Sequence, residues 1–568
     1  MASLYKKIIG GRPYWYLREM AWVEGKPKLA SERYLGSAAE IEALLDAREQ
    51  AVLPQRTRHL GFGDVAAVWG MLTRLDVPGV IDSVIGPRRS DAGASTGTYL
   101  ALAALNRIVA PCSKLAFADW WRSTAADRFT GIPAKVLDHR KFWEAMHTLT
   151  LEQLAQIEHR VAVRIVEEFG VDIGSLALDM TNFATFLDTG NAKAPIAQRG
   201  KAKQKRADLR LVGLGVVVSR DGGIPLVSLA YPGNKPDVTQ FATVIDLLAA
   251  RHAALAGHAG AHAPVEMTVV FDAGQNSAAN FAHLADIGLH YVGSVPPSDV
   301  PDLLTLPATR RRIVDVDRFG QLTALHTRRE IYGTVRRVVL THSPTLHAKQ
   351  SRGFDQTLTK AGTRLSELAD TLARGKTRRS RAAVEAEITK ICRDSWVTRV
   401  LTWRLEGDTP AEHRLSWSVQ RSARAALERE VFGKRVLITD REDWPVAEVV
   451  AGYRSQSEAE FGFRQMKDPH VVSFSPMHHW TDHTIRVHVF TCVLALQIAH
   501  LMRRMAAQAR VLLSVRELLN TLGGIEESVL IYPSTGGRPK ARRILTETTP
   551  EQDRLVTIFG LDRWAPRT

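Results

Sequence analysis

The chain has 568 residues, of which 45% are hydrophobic and 24% charged, a balance that excludes wholesale disorder, a collagen-like repeat and a coiled-coil rod. The length corresponds to about three to four domains and ample core, so stability needs no disulfide or metal staple. Lys and Arg number 75 against 60 Asp and Glu, a net charge of +15, which favours a polyanionic partner such as nucleic acid.

Cys112, Cys392 and Cys492 lie far apart and form no CxxC pair, which argues against a disulfide framework or a Cys-rich zinc site. The first twenty residues contain no apolar signal core. The most apolar stretch, 487–501, is interrupted by His488, Gln497 and His500 and is shorter than the about 20 apolar residues that span a bilayer. No membrane partner is expected, and the expected location is a bacterial-type cytoplasm.

Residues 1–55 read as an N-terminal β unit, with Tyr14, Trp15 and Tyr16 on extended runs and a turn at 24–26. Residues 56–170 read as helical, with Val65, Val68, Trp69 and Leu72 on one stripe. Arg74, Arg88, Arg89, Arg107, Lys114 and Arg122 make this region a candidate DNA-binding domain as well as a plain bundle, and spacing singles out no recognition helix.

From residue 171 the pattern is strand, hairpin, helix, strand, helix, strand up to 298, a mixed α/β unit. Its first strand is the short apolar run Leu176 to Met180, and Arg220-Asp221-Gly222-Gly223 is a hairpin turn. Residues 299–430 break the pattern with alternating strands and charged helices, and read as an inserted β-rich subdomain. Arg374 to Arg381 is a basic run within it. The α/β pattern resumes over 431–510, with one long helix from about 446 to 466 and another over 483–505. Residues 511–568 form a C-terminal region that holds Arg538, Lys540, Arg542 and Arg543.

Two acids follow apolar strands directly: Asp179 after Leu176-Ala177-Leu178, and Asp272 after residues 268–271. Carboxylates on adjacent strand ends suit a shared Mg²⁺, which takes few carboxylates, waters and phosphate oxygens. Two such ions stabilise both the attacking and the leaving oxygen in phosphoryl transfer. Either Asp alone also fits an ordinary solvated strand end. On the expected 446–466 helix, Tyr453, Glu460 and Lys467 recur every seven residues and share a face. That face suits metal and phosphate backbone, or simply a salt-bridged surface. His478, His479, His483 and His488 lack a matching Cys set for zinc. No dinucleotide fingerprint, P-loop or nucleophile elbow is present.

The order of these blocks resembles the DDE transposases of bacterial insertion sequences, in the branch with a Tyr-Arg-Glu-Lys signature, Y-x2-R-x3-E-x6-K. Tyr453, Glu460 and Lys467 fit that spacing, while Gln456 stands at the Arg position and Arg454 or Arg464 is a substitute cation. Only Glu460, not its rival Glu458, satisfies both spacings. Leu178-Asp179-Met180-Thr181-Asn182-Phe183, Gly213-Leu214-Gly215, the segment 232–237, Phe271-Asp272-Ala273-Gly274 and the segment 476–488 match the remaining blocks. The likeness covers about residues 171–500, and the long interval between Asp272 and Glu460 matches an insertion that this branch carries.

The resemblance implies an α/β fold: an RNase H-like mixed-sheet core split by a β-rich insertion with charged helices, preceded by a small β unit and a helical DNA-binding region. It implies Asp179, Asp272 and Glu460 as catalytic, metal-binding residues for two Mg²⁺ (or Mn²⁺) ions. Tyr453, Gln456, Arg464 and Lys467, with the basic run Arg199, Lys201, Lys203, Lys205 and Arg206, would hold DNA. The implied partners are double-stranded DNA of the transposon ends and target, and a second copy of the chain in a synaptic dimer or larger assembly. The implied activity is binding of terminal inverted repeats, strand cleavage and strand transfer, in a nucleoid-associated bacterial protein. Branch members form hairpin ends, for which Trp403 or Trp417 would stack on a flipped base unless buried in a core. Two alternatives stand beside this: a nuclease without strand transfer, and a DNA-binding descendant without catalysis, which Gln456 favours.

Overall fold

The computed structural model describes residues 2–23, 26–49, 53–87, 93–201, 208–258, 266–376, 378–533 and 540–567. Lys203, Lys205, Arg206, Arg88, Arg89 and Arg538 lie outside them. The fold is mixed α/β, with one large mixed sheet and many helices.

β1 (Ala2–Ile9), β2 (Arg12–Val23) and β3 (Lys26–Ser37) form an antiparallel meander. Gly10 and Gly11, at φ 59° and 79°, make its first turn, since two-residue hairpin turns of this hand need left-handed backbone. β4 (Arg56–Gly61) follows, and then a set of helices that includes Thr96–Val109 and His139–Thr148.

The nine-stranded sheet begins with β5 (Ser175–Thr185), β6 (Arg210–Ser219) and β7 (Pro225–Pro232), an antiparallel meander. The chain then crosses through the helix Asp237–His258 to β8 (Thr268–Val270), and on through Ala278–Asp286 to β9 (His290–Val295). β5, β8 and β9 are parallel neighbours. β10 (Arg312–Ile313), β11 (Thr323–Ile331) and β12 (Thr334–His342) extend the same sheet. β13 (Leu401–Glu406) and β14 (Arg414–Val419) form a separate hairpin, and β15 (Lys434–Thr439) inserts between β12 and β9. Near the C-terminus, β16 (Glu526–Ile531) pairs with both β17 (Ala541–Leu545) and β4.

The insertion differs from the expectation. Its first strands, β10 to β12, belong to the main sheet. The body with its own core packs Phe354, Leu365, Leu372, Val384, Ile388 and Phe432. That body is built mainly from the helices Pro344–Ala373, Arg381–Ile391, Ser395–Val400 and Arg421–Val431, with β13–β14 its one hairpin. Alternation marks a strand with one buried face, but not which sheet that face joins. Within 397–405 the expected extended run begins as helix, because Asp394 caps it by accepting from the Trp396 and Val397 amides.

Two more elements depart from the sequence reading. β5 does not stop at Met180. It stays paired with β6 through Thr185, as Thr181, Phe183 and Thr185 suit a strand. The helix expected over 446–466 is interrupted at Ser455, giving Val446–Arg454 and Gln456–Met466. The Ser455 hydroxyl donates to the Gly452 carbonyl at 2.6 Å, a local bond that competes with the regular helical ladder.

The helix Asp482–Gln508 is longer than the apolar run suggested, and by length and composition alone it would cross a membrane, yet 94% of its apolar window is buried inside the protein. Its interrupting polar residues are each paired. His488 Nε2 meets the Phe474 carbonyl at 2.8 Å, Gln497 Nε2 donates to the Pro225 carbonyl at 2.8 Å, and His500 Nδ1 donates to the Gly223 carbonyl at 2.7 Å. Paired polar groups lose most of their burial penalty. Around this helix one continuous core runs from Leu60 to Leu561 and joins the helical region, the sheet and the C-terminal region.

Candidate nucleic-acid site at the end of the parallel strands

Register brings the first two acids together. The last paired residues of β5 and β8 are Ala177 and Val270, and Asp179 and Asp272 each stand two residues further on. Adjacent strands are about 4.8 Å apart, so the two backbones are side by side at this level. Asp179 lies within β5, where β8 has already ended, not at a strand end.

Alternation also puts both carboxylates on one face. Phe271 packs on Phe241 and Phe281 from the helices of one face, so Asp272 turns to the other. Met180 lies with Val244 against Gly215 on that same first face, so Asp179, Thr181 and Phe183 project to the opposite one. The Asp272 carboxylate accepts from the Gly274 amide at 3.0 Å, and that of Asp179 from the Met180 amide at 2.7 Å.

The helix Gln456–Met466 crosses this second face, held at both ends to β5. Gln456 Nε2 donates to the Leu178 carbonyl, and Lys467 Nζ to Thr181 Oγ1, each at 2.8 Å. These bonds bracket Asp179. At 100° per residue, Gln456, Glu460 and Lys467 fall within about 40° of one another on the helix, so Glu460 lies on the anchored stripe. Lys467 also stands 5.6 Å from the Phe183 ring centroid, and Phe183 stacks on Phe474 at 4.2 Å.

Glu458 is bound elsewhere: its carboxylate takes a 2.5 Å ion pair from Arg503. Glu460 is exposed and lines a groove of about 350 Å³ with Tyr453, Arg454, Gln456, Thr341 and Arg435. Neither aspartate lines that groove. Among the described residues, no three His, Cys, Asp or Glu side chains are grouped closely enough to hold a metal ion. Asp179 and Asp272 thus each follow the last β5–β8 pair by two residues, and Glu460 lies on a separate element, without a closed triad among the described residues.

The expected DNA contacts divide. Tyr453 belongs to the preceding helix and does not continue the Glu460–Lys467 stripe on one unbroken helix. Its ring lies 5.7 Å from the Arg435 guanidinium. Gln456 is largely buried and orients the helix on β5, and it also lines the Glu460 groove. Arg464 is exposed, as are Arg199 and Lys201. Lys201 joins Asn182, Lys235 and Asp237 around a second cleft of about 440 Å³ beside the end of β5. Part of the other basic surface is neutralised: Arg381 pairs with Glu385 at 3.0 Å, and Arg379 and Arg543 pair with Glu387 and Glu527. Trp403 and Trp417 face each other across β13–β14. Trp403 is 38% exposed, and Trp417 packs against Gly362.

Sequence reading missed Arg435 and Thr181. Arg435 opens β15 beside the Tyr453 groove, and its only sequence signal was a cation at a strand start. Thr181 was visible in the block after Asp179, but its partner Lys467 is distant in the chain.

No family model matches the chain, and no curated protein matches it. Among solved structures, it is similar to the piggyBac transposase synaptic complex with hairpin DNA, seen by cryo-EM. The TM-score is 0.37 at 8% identity, over 83% of this chain and 82% of that one.

Proposed function

We propose that this chain is a DDE-type transposase with an RNase H-like core, acting on the terminal inverted repeats of a bacterial insertion sequence by strand cleavage and strand transfer. One observation carries the reading. Asp179 on β5 and Asp272 just beyond β8 each follow the last β5–β8 pair by two residues, on the face crossed by the helix of Glu460. Ligand sites in open α/β sheets gather at this carboxyl end of the strands.

Asp179, Asp272 and Glu460 are the residues that would hold divalent metal. Magnesium or manganese, when bound, supplies a polarised phosphate and an activated oxygen nucleophile. The chain's own residues do the rest. The acids serve as ionised carboxylates, a role amides cannot fill. Lys467 and Gln456 fix the Glu460 helix against β5. Arg435 with Tyr453 on one side, and Arg199 with Lys201 on the other, offer cations to the DNA backbone, whose contacts position the duplex. Synapsis of two ends brings together at least two copies of the chain.

The test uses the full chain with duplex DNA carrying the repeat ends from the flanks of its gene. Asp179→Asn, Asp272→Asn and Glu460→Gln are each expected to abolish Mg²⁺-dependent cleavage while retaining end binding. Full cleavage by any of them overturns the site. Gln456 in place of Arg favours a second reading, a DNA-binding descendant without catalysis. Absence of cleavage by the parent chain, with binding intact, selects it. Cleavage without joining of pre-cut ends selects a nuclease.

A further inference from the structure

A third cavity, of about 290 Å³, lies where the helical region meets the segment after Phe474. Arg107 and Lys114 line it, and no carboxylate does. Arg107 is 2% exposed. Two of its nitrogens donate to the Pro476 and Cys112 carbonyls, and its Nε has no partner among the described residues. The Lys114 ammonium lies 5.4 Å from the Phe142 ring centroid.

Among the described residues, no carboxylate lines the cavity to offset these two charges. The thiols of Cys112 and Cys492 are the negative candidates, and burial pushes Cys492 up to about 11, so it stays neutral. Burial, with Arg107 beside it, pushes Lys114 down to about 7. A buried cation without a counter-ion is costly, and an anion in the cavity would offset that cost for Arg107.

The other walls show what the anion is attached to. Trp143, Leu115 and Pro476 give an apolar and aromatic lining. His139, His478, His479 and His488 add imidazoles to it. Burial holds His479 down at about 3 and His488 well below its ordinary value, so these two rings are neutral, and a neutral imidazole offers one donor and one acceptor. The volume is near the lower limit of ligand pockets, about 300 Å³, room for one small molecule.

We infer that this cavity binds a phosphate ester carried on a planar apolar body, the chemistry of a single nucleotide, with the phosphate on Arg107 and Lys114 and the base against Trp143. The source is either a free nucleotide or an unpaired nucleotide of bound DNA. A run of rings leads from the cavity toward β5: His488 to Phe474 at 5.1 Å, then Phe474 to Phe183 at 4.2 Å.

Equilibrium dialysis of the full chain with deoxyadenosine 5′-monophosphate tests this, beside deoxyadenosine and inorganic phosphate. The nucleotide is expected to bind about tenfold or more tightly than either fragment, and Lys114→Met to weaken it by a similar factor, the scale of a lost charged hydrogen bond. Trp143→Leu is a second variant, read with circular dichroism to verify folding, and is expected to weaken the nucleotide but not phosphate. A duplex with one unpaired adenosine that displaces the nucleotide, where a fully paired duplex does not, assigns the DNA source. Failure of both duplexes to displace a bound nucleotide assigns the free one. The inference is overturned if neither the nucleotide nor the unpaired duplex binds in a Lys114-dependent way, or if deoxyadenosine or phosphate alone binds as well as the nucleotide. Dialysis requires no strand cleavage, so failure here is separable from failure of the transposase reading.

Discussion

Gln456 Nε2 donates to the carbonyl of Leu178 at 2.8 Å, and the next residue on β5 is Asp179. β8 has ended by this level, so a side chain from the overlying helix serves the backbone. Gln456→Ala would leave that buried carbonyl without its donor, a cost of about 1–3 kcal/mol. The expected result is a lower urea midpoint, together with slower DNA cleavage because the Glu460 helix loses one anchor.

Glu458 and Glu460 differ by half a helical turn and by environment. Glu458 holds Arg503, and Glu460 faces the groove of Arg435 and Tyr453. Glu458→Gln is therefore expected to keep Mg²⁺-dependent cleavage and to lose about 1 kcal/mol or less of stability, the scale of a part-exposed ion pair. Glu460→Gln is expected to lose cleavage and keep stability. Parallel cleavage and unfolding measurements check both, and the reverse pattern would make Glu458 the third acid.

Burial holds His479 and His500 at about 3 and His488 well below its ordinary 6.5. The unfolded chain takes up these protons near pH 6.5 while the folded chain does not. Stability is therefore complete above 6.5 and falls as pH drops, by about 1.4 kcal/mol per unit for each ring. Asp64 and Glu158, pushed up by burial to about 6 and about 7, act in the opposite sense. His342, pushed down to about 4, and His252, also lowered by burial, add to the histidine side, and five rings against two acids give a net loss. Removing one ring isolates the effect: between pH 6.5 and 4.5, His500→Gln is expected to lose about 2 kcal/mol less than the parent, measured by urea unfolding at both values.

Gly233 sits in the turn beside the Lys201–Asp237 cleft. A Cβ there would stand 2.0 Å from the Leu211 carbonyl oxygen. Backbone must move to admit it, at the about 1–3 kcal/mol typical of overpacking. Gly233→Ala is expected to lower the thermal midpoint, whereas Gly353→Ala, where nothing lies within 4 Å, is not.

Much of this arrangement is local and therefore legible in the sequence. Short apolar runs before Asp179 and Asp272 mark the strands that carry them, and the spacing of Tyr453, Glu460 and Lys467 marks the third element. The net charge of +15 is equally legible, and it favours a polyanion partner without any geometry. The hairpin at Gly222-Gly223 is equally local, since the left-handed backbone of both residues suits glycine.

What the tertiary structure decided are relations between residues far apart in the chain. The common level and face of Asp179 and Asp272 depend on the register of β5 with β8, which no single strand contains. The break at Ser455, beside the Ser455 hydroxyl bond to Gly452, places Tyr453 and Glu460 on successive helices. The burial of Gln456 depends on Leu178, and the pairing of β4 with β16 joins opposite ends of the chain. The cavity of Arg107 and Lys114 is the clearest case. In sequence these are two more cations among 75 basic residues, and only folding gives them a cavity lining without a carboxylate among the described residues, because packing and not composition sets which charges meet.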